Sequence, residues 1–215
     1  IGAATAGIWR TTNNGQDYSF VSGGVPEVEW VNQIIYSRSD AQVVYANTDV
    51  GVVKSIDGGF NWAYTGLRKT KPNKYGSLNW LDVPRNNSDI VYATTEESGT
   101  YSIHKSIDGG VTWSKMYQTN NKLWDMRIKP DDANTVYILE QTGNWINFKK
   151  STNSATTFIT IDDGYPSNIS TNAHRARIAT TPANNSVVYV AIGYNGGGTG
   201  DMISFFKSTN SGDSF

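Results

Sequence analysis

One nine-residue phrase returns along this chain and leaves little freedom in what it can fold into. Lys54-Ser55-Ile56-Asp57-Gly58-Gly59-Phe60-Asn61-Trp62 recurs nearly letter for letter as Lys105-Ser106-Ile107-Asp108-Gly109-Gly110-Val111-Thr112-Trp113. Looser copies begin at Arg10, Lys150 and Lys207, so the boxes span 11–18, 55–62, 106–113, 151–158 and 208–215. The common rule is a base, a hydroxyl, Asp or Asn two residues on, a Gly two further on, and an aromatic three after that. Each type has a task in a tight turn. The acid or amide of Asp57, Asp108, Asn153 and Asn210 accepts backbone N–H groups just downstream. Gly59, Gly110 and Gly212 supply positive φ. Ser55, Ser106, Ser151 and Ser208 add a local hydrogen bond, and Trp62, Trp113, Phe158 and Phe215 turn back to pack. The third copy breaks the rule with Ala155 in the Gly place. An EF-hand loop needs several carboxylates and a distant Glu; the boxes have too few, so neither a metal nor another cofactor is expected.

The box hydroxyls fall at 11, 55, 106, 151 and 208, intervals of 44, 51, 45 and 57 residues. Periods near 40–45 residues signal propeller blades. Ahead of four boxes comes a second recurring segment, Val43-Val44-Tyr45-Ala46, Ile90-Val91-Tyr92-Ala93, Thr135-Val136-Tyr137-Ile138 and Val187-Val188-Tyr189-Val190. Upstream of these lies a short apolar strand. Each period thus holds four strand-like pieces, with no helical period in its apolar residues. The expected fold is an all-β propeller of four-stranded antiparallel blades, residues 1–215 forming one domain or part of one. With four to five blades, the chain is expected to belong to a larger propeller, with further blades or domains in the same polypeptide, because an open arc exposes strand edges.

The boxes resemble the Asp-box, or BNR, repeats of sialidase-like propellers. With the Val-Tyr-Ala segment they are similar to sortilin-type receptor propellers, xyloglucan-degrading glycoside hydrolases and secreted bacterial BNR-repeat proteins. The resemblance covers nearly the whole chain and implies the propeller fold. The xyloglucanase likeness further implies an acid or base role for Asp49, since Thr48-Asp49-Val50-Gly51 resembles that family's Thr-Asp-x-Gly segment. The pattern fails beyond it, where Val52 replaces a second Gly. The Arg-Ile-Pro signature of sialidases is absent, Ala176-Arg177-Ile178-Ala179 standing nearest to it.

Charge is nearly balanced, with 18 basic and 19 acidic residues, which argues against a nucleic-acid or anionic-membrane surface. There is no cysteine, so disulfides and thiol chemistry drop out. No membrane-length apolar run is visible. Abundant Asn, Thr, Ser and Gly with low charge suits a secreted or cell-surface protein. Strand parity then divides the loops. Chain direction reverses at each strand, so the boxes share one end of the blades, and the second-to-third and blade-to-blade loops share the other. Ligand contacts are expected from those opposite loops: Arg68, Tyr75, Trp80, Glu96, Tyr101, Trp124, Tyr165, Arg175 and Tyr194. Aromatic faces among amides and carboxylates suit a glycan; the competing reading is that the Trp residues only fill space between blades. Three functions follow: a glycan- or protein-binding module, a polysaccharide hydrolase acting on xyloglucan or another β-glucan, and a scaffold within a large surface protein.

Overall fold

The computed structural model describes residues 1–3, 6–69, 80–143, 145–166, 173–194 and 203–215. Among them the elements are strands, apart from one 3-10 turn at Ser22–Gly24. The first sheet holds β1 (Gly2–Ala3), β2 (Gly7–Arg10) and β3 (Ser19–Phe20). The second runs β4 (Val31–Tyr36), β5 (Val44–Thr48), β6 (Gly51–Ser55), β7 (Ala63–Arg68), and the third β8 (Leu81–Asp82), β9 (Val91–Glu97), β10 (Thr100–Ser106), β11 (Ser114–Thr119). The fourth runs β12 (Leu123–Lys129), β13 (Asp132–Thr142), β14 (Trp145–Ser151), β15 (Ile159–Thr160), and the fifth holds β16 (Ala173–Thr180), β17 (Val188–Tyr194) and β18 (Ile203–Ser208). Sequential strands are neighbours throughout, so each sheet is an antiparallel meander. Two compact units divide the chain, Ile1–Glu97 with Ser102–Lys115, and Ser98–Tyr101 with Met116–Phe215.

In the first unit the middle strands of the second sheet are buried on both faces, which is why they read as near-continuous apolar runs. Successive side chains point opposite ways. Tyr45 and Val52 join Leu81, Val83, Val91 and Ala93 on one side, while Ala46 and Val53 join Ile8, Val25, Val28 and Trp62 on the other. In the second unit the corresponding space is aromatic. Phe148 stacks on Tyr137 at 5.6 Å and meets Phe215 edge-on at 4.8 Å.

All five boxes build one turn. The hydroxyl of Thr11, Ser55, Ser106, Ser151 or Ser208 accepts the N–H two residues on at 3.3 Å. It also accepts the N–H four residues on, at 2.8–3.0 Å. It donates to Oδ1 of the acid or amide at 2.8–3.0 Å. That same Oδ1 takes the N–H of Asp17, Asn61, Thr112, Thr157 or Ser214 at 2.9–3.0 Å. Two consecutive residues per box are left-handed, Gly58 and Gly59 at φ 71° and 90° for instance. The geometry is imposed even on Ser154 and Ala155, at 60° and 64°, where a side chain costs about 1–2 kcal/mol per residue.

From four of the boxes the backbone donates to the connection between the first two strands of its own sheet, or in the fourth sheet to the start of β13. The bonds are Gly58 N–H to Gln42, Gly109 to Asp89, Ser154 to Asn134 and Ser211 to Ser186, at 2.7–2.9 Å. Within each of these sheets, then, the box and that loop lie at one end, and the second-to-third turn lies at the other. The base that opens a box reaches forward to the following one. Arg10 Nε donates to the Gly58 carbonyl at 2.9 Å, Lys54 Nζ to that of Gly109 at 3.0 Å, and Lys150 Nζ to the Asp213 carboxylate at 2.7 Å. Two tyrosines of the second recurring segment also reach forward, Tyr45 donating to Ser88 O in the loop between β8 and β9 at 2.9 Å and Tyr137 to Ser211 O in the last box at 3.0 Å. Gly66 is needed because a Cβ there would sit 2.3 Å from the carbonyl oxygen of Val111.

The backbone and side-chain donors of Asn61, with Ser55, hold the Asp57 carboxyl at about 2, well below the usual carboxylate range. Thr112 and Ser106 do the same for Asp108, also at about 2. The folded state therefore favours the ionised form, and this stabilisation is present above the unfolded value near 4 and lost as pH falls toward 2. Asp57→Ala and Asp108→Ala are expected to lower the melting temperature at pH 7 and to flatten its fall between about pH 4 and 2. Thermal melts across that range check it; an acid limb unchanged from wild type would show that these carboxylates do not set it.

Candidate functional site

At the ends of the first unit's strands opposite the boxes, polar groups are packed where the sheets would otherwise be apolar. Asp49 sits in the two-residue turn between β5 and β6 and is 1 % exposed. Its Oδ1 accepts the N–H groups of Glu29 and Trp30 at 3.3 and 3.2 Å, while its own N–H donates to Trp30 O at 3.0 Å. The carboxylate thereby pins the start of β4 to the turn. Lys69, just past β7, is also buried. Its Nζ donates to Thr48 O at 2.8 Å. Burial pulls its ammonium down to about 8, against the attraction of Asp49, Glu96 and Glu97. A buried lysine held charged by carboxylates is costly, and such groups gather at functional sites.

Trp80 borders this group from the neighbouring sheet, 8 % exposed. Its N–H donates to Thr94 Oγ1 at 2.7 Å, and its carbonyl accepts Asn47 Nδ2 at 3.3 Å. Glu96, near the end of β9, is half-buried. Arg68 is exposed, paired with Glu27 and lying 3.9 Å over the Tyr64 ring. The structure thus brings Asp49, Lys69 and Glu96 together, with Trp80 beside them. Tyr75 lies outside the described residues.

In the second unit Tyr101 is half-buried on β10 and Arg175 is exposed on β16. Tyr194 ends β17, its backbone paired with Ala173. Trp124 is 4 % exposed, its Nε1 on Gln141 Oε1 at 3.3 Å. Tyr165 corrects an expectation. It is 2 % exposed, its hydroxyl donates to Ile146 O at 3.2 Å, and its ring packs on Phe148, Phe206 and Phe215. It is a core side chain with no surface left for a ligand, because the chain after β15 folds inward over Phe148.

Asp125, which belongs to no sequence motif, is fully buried. It accepts the N–H of Met126 at 2.8 Å and of Ile178 at 2.7 Å, and lies 2.9 Å from Arg127. Burial pushes its carboxyl up to about 6, against Arg127, those two N–H groups and Arg177. Its signal in the sequence was a lone acid in an otherwise apolar strand, Leu123-Trp124-Asp125-Met126. Lys69 had a weaker signal, being one of several bases in a polar loop.

A groove of about 570 Å³ lies away from these groups, at the box end of the first unit between Ile56, Trp62, Tyr64 and Val111. Its polar walls, Lys54 and Asp57, are already engaged in the turns. Among the described residues no set of three or more His, Asp or Glu could hold a metal ion, and no helix is long and apolar enough to cross a membrane.

No family model matches the chain, and no curated protein does. Solved structures do. A GH74 enzyme of Niastella koreensis superposes with a TM-score of 0.70 at 22% identity over 97% of this chain. The GH74 xyloglucanase of Xanthomonas campestris follows at 0.61, 14% identity and 96%. The fold is a β-propeller. An α-L-arabinanase of Penicillium chrysogenum, complexed with arabinobiose, matches at 0.56 and 13% identity over all of this chain and 69% of its own. This chain spans about a third of each GH74 enzyme, 33% and 31%, and the likeness speaks for fold alone.

Proposed function

We propose that this chain is part of a secreted, glycan-binding Asp-box propeller, with a neutral polysaccharide held at the strand ends that carry Asp49, Lys69, Glu96 and Trp80. The observation that carries the reading is the burial of Asp49 and Lys69 beside the half-buried Glu96. Of these groups the half-buried Glu96 has surface left to accept from sugar hydroxyls, with the buried Lys69 as its counter-charge and Trp80 at the edge. The carbohydrate-active neighbours add support, one a xyloglucanase and one an arabinanase. Binding is favoured over hydrolysis because Asp49 is enclosed, with Oδ1 spent on two backbone amides. A catalytic carboxylate has to reach the glycosidic bond, with a second one about 5–9.5 Å away.

Affinity electrophoresis against xyloglucan, other β-glucans and arabinan is the test. Retention by at least one is expected, falling about tenfold in Lys69→Met and Glu96→Gln, each of which removes charged hydrogen bonds. No retention by any neutral polysaccharide would leave the scaffold reading. Release of reducing sugar that Asp49→Asn abolishes would make the chain a hydrolase.

A further inference from the structure

Each box has two places that its turn leaves open, one residue and five residues after the hydroxyl. Three boxes fill them with polar residues: Thr12 and Gln16, Thr152 and Thr156, Thr209 and Asp213. The other two carry Ile56 and Phe60, and Ile107 and Val111. The turn does not call for this, since the hydroxyl makes the same hydrogen bonds in all five. Arg10 covers one face of Phe60 at 3.5 Å, but Ile56, Ile107 and Val111 stay 70–72 % exposed. Ile56 and Val111 line the groove of about 570 Å³ at the box end of the first unit.

Exposed apolar side chains gathered at a groove mark a docking surface, and the walls decide for what. Trp62 is buried with its Nε1 on Gly59 O at 3.2 Å, and Arg68 covers one face of Tyr64. Ile56 and Val111, which have no flat face for a sugar to stack on, are therefore the open walls. Gly66 and Gly110 line the groove as well, and the Gly66 N–H on Gly110 O at 2.8 Å fixes their backbone before anything binds. Charge sets the polarity of the occupant. Asp57 lines the groove, and Asp108 belongs to the box that forms the other wall. Among the described residues the groups bonded to these carboxylates are neutral: Ser55, Phe60 and Asn61 for the first, Ser106 and Thr112 for the second. Asp57 Oδ2 holds Asn61 Nδ2 and has room for a cation beside it. Lys54, the base in the lining, is already on Gly109 O at 3.0 Å. A second copy docked symmetrically on this face would set carboxylate against carboxylate.

We propose that this groove docks a cationic amphipathic segment of another protein, with an aliphatic side chain between Ile56 and Val111 and a neighbouring Lys or Arg on Asp57. The surface uses none of the residues at the Asp49 end, so it stands or falls apart from the neutral-glycan reading.

Fluorescence anisotropy with three short labelled peptides tests it, one built of Leu and Lys, one of Leu and Glu, and one of Ser and Lys. The Leu–Lys peptide is expected to bind and to weaken as salt is raised. Ile56→Thr combined with Val111→Thr should lower its affinity about tenfold by removing both aliphatic walls. Asp57→Asn should lower it about threefold and flatten the salt dependence. Other boxes already carry these residues at the same places, Thr12, Thr156 and Asn153, so the turns survive; circular dichroism checks the variants. A Leu–Lys peptide that does not bind, or that binds the folded double variant unchanged, overturns the proposal. So does equal binding of the Leu–Glu or the Ser–Lys peptide, or a folded Asp57→Asn with unchanged affinity and salt dependence. Self-association of the protein that the double variant abolishes, seen by ultracentrifugation, would give the face to a second copy and overturn it as well.

Discussion

Replacing Phe148 by alanine lowers stability by about 3–5 kcal/mol, the usual cost of emptying a phenyl-sized space in a packed core. Its ring is fully buried and faces Tyr137, Tyr165 and Phe215. Little can close the gap. Tyr137 is held by its hydroxyl on Ser211 O and Tyr165 by its own on Ile146 O, so neither ring can slide inward without breaking a hydrogen bond. Gly212 stands on the same ring, at a distance where a Cβ would come within 3.1 Å. The loss is a large share of a domain stability of about 5–15 kcal/mol. Denaturant midpoints of Phe148→Ala and Phe148→Leu check it: leucine should recover part of the loss, and a shift under about 1 kcal/mol for alanine would mean the aromatic cluster is not closely packed.

Asp125→Ala is expected to cost a similar amount, about 3–5 kcal/mol, by a different route. Here the penalty comes from what is left behind: two buried N–H groups without their acceptor, and Arg127 without its counter-charge. Asp125→Asn keeps an oxygen for the amides and should lose less. The two variants also carry a pH signature. Because the folded carboxyl titrates at about 6, above its unfolded value near 3.9, the contribution of this group is full in acid and lost as pH rises through 6. Wild type should therefore lose stability between about pH 4 and 6 relative to Asp125→Asn. Parallel stability curves for the two proteins over that range would mean the carboxyl keeps its ordinary acidity.

The fold was legible because its signal is local and repeated. Hydroxyl, acid and glycine sit within five residues and close on one another, so each box declares its hairpin before any distant contact forms, and the intervals between boxes leave room for only four strands. What escaped was whatever depends on the next sheet. The base that opens each box reads as a solvated charge, yet Arg10, Lys54 and Lys150 reach across to the following turn. Tyr165 looked like a loop aromatic, although the chain after β15 buries it. Asp49 stood out through a resemblance, whereas the burial of Lys69 beside it depends on the β5–β6 turn and on Glu96 and Glu97. Asp125 carries no motif, since its partners, Arg127 and the Ile178 amide, come from its own strand and from one more than forty residues on.

Those forward-reaching bases bear on how stability is shared. A clamp from one sheet to the next, repeated within each unit, makes the chain resemble a row of coupled elements in which every term is either internal to a sheet or belongs to one junction. Damage at a junction then weakens two sheets and spares those farther along. A Lys54 variant should thus fray the second and third sheets first, with the loss of backbone-amide protection falling off with distance in sequence, as in an array and unlike a single cooperative globule.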